Sequence, residues 1–175
     1  MKTYDPAPQS VHTRLASLID RFHPDLKASQ ARIDLLFIWS TGDDAVLRLH
    51  GYSCQAVVRI IGDKDRVAGR GDAEIVIDKA NWEDLTDAEK DALLDHELYH
   101  LIVQKDSYGA IKVDGHRRPK FRMRLHDQQV GWFDEIARRH GDASAEIKHA
   151  RSLLKQRGQL YFNWTPETEM PDLHK

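Results

Sequence analysis

The stretch 86–104 narrows the folding options of this chain more than any other. Thr86 and Glu89 stand at the spacing of a capping box, in which the hydroxyl accepts from the backbone amide three residues on and the carboxylate reaches back. From 87 to about 104, Leu93, Leu94, Leu98, Leu101 and Ile102 recur at helical spacing with no Gly or Pro between them, so a helix with a wide apolar stripe is expected. Such a stripe must be buried against other elements, and the chain supplies candidates on both sides. Upstream, Val11, Leu15, Leu18, Ile19 and Phe22 predict a helix over 10–22, ended near Pro24. The runs 32–40 (RIDLLFIWS), 55–61 (QAVVRII) and 73–78 (AEIVID) read as short strands, with 45–49 a further candidate. Downstream, Val130, Phe133, Ile136 and Ala137 repeat the helical spacing over 125–140, stopping at Gly141, and 143–156 forms a last helix. The stretch 158–175 reads as irregular, packing only through Tyr161, Phe162 and Trp164. Strands in the first half and helices in the second predict an α+β fold, with a small mixed or antiparallel sheet packed on the 87–104 helix and further C-terminal helices. At 175 residues a single domain is expected, its core over about 10–157.

Charge and cysteine content exclude several classes. Twenty-six Lys and Arg against 28 Asp and Glu leave a net charge of -2, so any attraction to nucleic acid has to be local. No run approaches the roughly 18 apolar residues of a membrane span, and residues 1–10 carry no apolar secretory segment, which makes a cytoplasmic location the expectation. Cys54 is the single cysteine, so an internal disulfide and a cysteine-rich metal site are both ruled out. It reads as packing filler rather than a nucleophile.

Within the predicted helix lies His96-Glu97-Leu98-Tyr99-His100, an HExxH motif. At about 100° per residue, His96 and His100 differ by roughly 40° around the axis and one turn along it, so both imidazoles can converge on one metal ion. Glu97, on the flank of that face, is poorly placed as a ligand beside both histidines but well placed to take a proton from a water on the metal. That is the geometry of a hydrolytic zinc site. Two imidazoles on a partly buried face need polar partners, and a metal supplies one for both, whereas a satisfied structural pair is the plainer alternative. A catalytic zinc takes a third protein ligand. His116, His126, Asp127, Asp134 and Glu135 all follow. His126 is favoured, at the start of a return helix from which it can point back. Asp127 is either an acceptor orienting an imidazole or an ordinary first-turn acid. Glu135 would make a different His-His-Glu site and fits a solvated face better, and His116 sits in a basic loop expected to be exposed. Tyr99 and Tyr108 are candidate donors to a tetrahedral oxyanion, with Tyr99 better suited to packing.

Three segments carry a family resemblance: AEIVIDKANW followed by a short acidic helix start, LLDHELYHL, and LHDQQVGWFDEIARRHG. They resemble the putative phage metallopeptidases, small zincin-like proteins encoded by phages and prophages, and cover most of 29–141. The resemblance implies a zincin fold, with His96, His100 and His126 as Zn2+ ligands, Glu97 as base, a protein or peptide substrate, and the host cytoplasm as location. Gln128-Gln129-Val130-Gly131 departs from the acidic or aromatic continuation expected after His126-Asp127. In zincins a peptide can add as a strand along an exposed sheet edge, and 73–78 is the candidate edge, or else ordinary core. The basic run 116–124 (HRRPKFRMR) reads as a solvated loop balancing the acidic 84–95 stretch, with phosphate or nucleic-acid contact the less favoured role. A non-catalytic, zincin-like metal-binding regulatory protein that contacts nucleic acid through 117–124 is the alternative to an enzyme.

Overall fold

The computed structural model describes residues 1–41, 46–49, 52–126 and 133–156. In chain order the elements are β1 (Lys2–Pro6), α1 (Gln9–Phe22), α2 (Pro24–Ser29), β2 (Ile33–Ser40), β3 (Arg48–Leu49), β4 (Tyr52–Ser53), β5 (Ala56–Ile60) and α3 (Asp63–Val67). There follow β6 (Ala73–Asp78), α4 (Lys79–Asp84), α5 (Asp87–Tyr99), β7 (Leu101–Val103), β8 (Phe121–Met123), α6 (Asp134–His140), a 3-10 turn (Gly141–Ala143) and α7 (Ala145–Gln156).

The expected α+β class holds. Four strands form one mixed sheet in the order β1-β2-β6-β5, in which β2 and β6 run parallel while β1 and β5 pair antiparallel to their neighbours. All six residues of β6 are buried, with Ile75 and Ile77 facing the main core and Val76 the smaller cluster of Ile38, Val46 and Leu47 on the other face. A strand apolar on both faces belongs inside a sheet. Of the two readings of 73–78, the exposed edge is therefore corrected and the ordinary core holds: β6 lies between β2 and β5, and β5 is the last strand on that side among the described residues.

Helix α1 turns Val11, Leu15 and Leu18 inward as its spacing predicts. Pro24 does more than end it, because as the first residue of α2 its fixed φ suits a helix start. The capping box of α5 is intact: the Thr86 amide donates to Glu89 Oε2 at 2.7 Å, and the Glu89 amide donates to Thr86 Oγ1 at 3.4 Å. Leu94 and Leu98 carry α5 into the core, but Asp95 and Glu97 are buried too, so its inner face is not purely apolar.

Two predicted helices are corrected. The first ends at Tyr99, not near 104, because 101–103 pairs with β8 in the register Leu101↔Met123, Ile102↔Arg122, Val103↔Phe121. Leu101, Val103 and Phe121 enter the core through this ladder, and β-branched Ile102 and Val103 suit it, so tertiary pairing overrides the helical spacing. The second does not begin at 125: Leu125 and His126 are non-helical, following directly on β8, and α6 starts at Asp134. Asp127, Val130 and the 128–131 departure lie outside the described residues, as does 158–175. Between β7 and β8 the chain is a hairpin arm with bridges Lys105↔Ile111 and Val113↔Pro119 rather than a plain loop. Arg118 is no solvated charge either; it donates to Asp72 Oδ1 and to the carbonyls of Arg66 and Arg70, each at 2.9 Å. No helix among the described residues is long and apolar enough to cross a membrane.

Candidate metal centre

Helix α5 stops one residue short of His100, which still holds helical backbone angles (φ -67°, ψ -23°) as the C-cap. His96 and His100 thus keep their one-turn relation at the extreme end of the helix. The β7–β8 ladder brings the chain back, and the Arg124 amide donates to the His100 carbonyl at 2.7 Å. Two residues on, His126 arrives from this extended segment with Nε2 3.3 Å from Nε2 of His96. One ring nitrogen from each of His96, His100 and His126 lies within 4.8 Å of the others, a group able to hold a metal ion. Fully buried Phe133 floors the cluster, its ring centroid 4.9, 4.7 and 4.8 Å from those of His96, His100 and His126.

The outward nitrogens decide the chemistry. His96 Nδ1 is 2.6 Å from Glu146 Oε1, and His100 Nδ1 donates to the Arg124 carbonyl at 2.8 Å. A carbonyl can only accept, so His100 is protonated at Nδ1 and its Nε2 keeps a lone pair. Glu146 works the same way on His96: burial alone would raise its carboxyl, but the His96 hydrogen bond and charge hold it below the usual range, as an acceptor. Imidazoles anchored through Nδ1 with Nε2 turned to a common centre fit a divalent cation.

Glu97 is buried on the β5 side of the site. Burial pushes its carboxyl up to about 7, against the opposing pull of His96 and of the Val58 amide of β5, which donates to it. Burial likewise lowers His100, to about 4. For His96 burial acts downward, yet the Glu146 hydrogen bond and the neighbouring Glu97, Glu146 and Asp95 charges leave its pKa raised. A cavity of about 830 Å³ opens beside these residues, between the β5 edge, one face of α5 and α7.

Other candidates fall elsewhere. Glu135 pairs with Arg138 and, at 3.2 Å, with Arg139 on its own helix, away from the cluster. His116 is exposed on the hairpin arm, as expected. Tyr108 is 95% exposed, whereas Tyr99 packs on Phe133 with the Arg124 guanidinium 4.3 Å above its ring. Sequence reasoning missed three residues: Glu146, Phe133 as the floor, and Asp95. Asp95 is fully buried, bonding His23 Nε2 at 2.6 Å, His140 Nε2 at 2.7 Å and Arg139 Nη1 at 3.1 Å. Burial would raise its carboxyl, but these partners hold it well below the ordinary range. Two of the ten histidines are thereby accounted for as structural. Glu146 lies 50 positions beyond His96, and a first-turn acid in a short helix gives no local sign of such a partner.

A small mixed sheet, a helix ending in two histidines and a third imidazole brought against them make up a metallopeptidase-like α+β fold with donors for a metal ion. Residues 3–156 match the model of the family described as putative phage metallopeptidase, and the chain belongs to that family. Membership implies a metal ion and a protein substrate. No curated protein and no solved structure matches the chain.

Proposed function

We propose that this protein is a zinc-dependent peptidase of zincin type, with His96, His100 and His126 as the metal ligands and Glu97 as the general base. The observation that carries this is the convergence of three imidazoles, two anchored through Nδ1, beside a buried carboxylate at a cavity. Zinc, when bound, supplies Lewis acidity and lowers the pKa of a coordinated water toward neutrality. The remaining work falls to the chain. Glu146 and the Arg124 carbonyl fix the ring orientations of His96 and His100. Glu97 takes a proton from the attacking water at its carboxylate and delivers it to the departing amine. β5 ends the sheet on the side that borders the same cavity, so a peptide adds along its outer edge as a strand, the role for which 73–78 was one candidate.

Glu97→Gln tests the assignment. Hydrolysis of casein or a peptide library should vanish while bound zinc and melting temperature hold. Cleavage by the variant at the wild-type rate would remove Glu97 from the mechanism. A zinc-loaded wild-type protein that cuts no peptide would favour a non-catalytic metal-binding role.

A further inference from the structure

We propose that the exposed side of the β7–β8 hairpin arm binds single-stranded nucleic acid, with phosphates on Lys112, Arg117, Lys120 and Arg122 and a base stacked on Tyr108. This surface is separate from the histidine cluster and does not depend on the peptidase reading.

The expected balance between 116–124 and the acidic 84–95 stretch does not form. Asp87 and Asp91 pair with Arg14, Glu89 with Lys148, and Asp95 with His23, Arg139 and His140. The arm over 104–122 carries six Lys or Arg against two Asp. Lys105 and Arg118 tie it to the body of the protein through Asp25 and Asp72. Both of its acids are engaged: Asp106 Oδ1 accepts from the Tyr108 and Ala110 amides at 2.9 Å, and Asp114 lies 3.2 Å from Arg66. Lys112, Arg117, Lys120 and Arg122 are exposed and pair with no carboxylate among the described residues. In a chain of net charge -2, the attraction for an anion is therefore local to this arm.

The backbone gathers these four cations. Val113 bridges Pro119 and the Lys120 amide donates to the Lys112 carbonyl at 2.9 Å, so Lys112 and Lys120 stand across from each other. Like charges so placed repel, and a bound anion relieves the repulsion. Lys120 and Arg122 flank buried Phe121, which puts both on the side away from the core, about 6.7 Å apart. Arg117 lies in the turn joining the two segments, where Asp114 Oδ1 accepts from the His116 and Arg118 amides at 2.8 and 2.9 Å.

Tyr108 selects among anionic partners. It is 95% exposed on the arm's other turn, and no ring among the described residues packs on it. A cationic track beside an exposed aromatic suits a strand with unpaired bases, whose phosphates meet the cations while a base face meets the ring. A duplex keeps its base faces stacked on one another, and an acidic side chain offers no such face.

Fluorescence anisotropy of the full chain with a short labelled oligothymidylate tests the surface. Four phosphate contacts give a slope of about -2.8 for log affinity against log salt, a loss of about 50-fold between about 50 and about 200 mM NaCl. Lys112→Gln, Lys120→Gln and Arg122→Gln together should reduce the slope to about -0.7, and Arg122→Gln alone to about -2.1, so a folding failure of the triple variant leaves the test intact. Tyr108→Ala should keep the wild-type slope and weaken binding by about 5- to 150-fold. Melting temperatures equal to wild type check that the variants fold. Zinc and a chelator should leave the affinity unchanged, since binding only with zinc would place the strand at the histidine cluster and overturn the arm. No binding at about 50 mM salt, or wild-type slopes in the lysine and arginine variants, also overturns it. A duplex bound as tightly as the single strand, with Tyr108→Ala silent, refutes base stacking, and equal competition by polyglutamate makes the arm a site for acidic proteins instead. Comparison with oligouridylate tells DNA from RNA, and preference for either over the duplex supports the proposal.

Discussion

Removing the Glu146 carboxylate tests whether the site is held from outside the HExxH turn. In Glu146→Ala the His96 Nδ1 proton loses a partner at 2.6 Å, in a place where the two side chains are only 16% and 2% exposed. The ring also loses the contact that keeps its proton on Nδ1 and its Nε2 lone pair toward His100 and His126. A hydrogen bond to a charged group contributes about 1.5–3 kcal/mol. Loss of an outer partner of a metal-binding histidine weakens metal binding by about 10–100-fold, or roughly 1.4–2.8 kcal/mol, and the two figures agree. Competition against a chromophoric chelator measures the change directly, with thermal melting of the metal-free protein as the control for folding. Glu146→Gln retains an oxygen acceptor without the charge, so its loss should fall between wild type and Ala. Zinc affinity of the Ala variant within twofold of wild type, or a Gln variant weaker than Ala, would refute an orienting role for this carboxylate.

Other outcomes follow from the same contacts. His126→Ala should lose its zinc to a mild chelator wash that leaves wild type loaded, as read by metal analysis, while the metal-free variant melts like metal-free wild type because His126 is only half-buried. Asp95→Ala leaves His23, Arg139 and His140 without their common buried partner and should cost about 3–5 kcal/mol in urea unfolding, whether or not zinc is present. Zinc should raise the melting temperature of wild type by mass action, by about 2.7 kcal/mol of added stability at 100 times its dissociation constant, and a chelator should reverse the rise.

The elements legible in the sequence are those whose cause is local. The capping box marked the start of α5 to the residue, and the spacing of Val11, Leu15 and Leu18 gave α1 because those side chains alone decide which face turns inward. Strand positions were legible from short apolar runs, but their order was not. Whether 73–78 sits at an edge or in the middle depends on what pairs with each side, and that is settled by β2 and β5, 40 and 21 positions away at the pairs Ile33↔Ala73 and Ala56↔Ile77. Likewise His96, Glu97 and His100 were legible because a single helical turn contains them, whereas Glu146 and Asp95 act through partners with no fixed sequence offset.

The largest misjudgement, a helix continued to 104, concerns the feature that assembles the site. In such a helix the His100 carbonyl would accept from the amide of residue 104, four positions on. In the structure that carbonyl is free to accept from Arg124 instead, and 101–103 is free to pair with β8. The exchange places Arg124 where its own carbonyl accepts from His100 Nδ1, and it delivers His126 two residues later against His96. Ending α5 at Tyr99 therefore gives up at most a turn of helical hydrogen bonds and gains three things at once: a ladder that buries Leu101, Val103 and Phe121, an anchor for one imidazole, and the approach of another. Local helical preference is worth only tenths of a kilocalorie per residue, so the ladder and its burial outweigh it. A third ring can reach the HExxH pair here because the helix stops where it does.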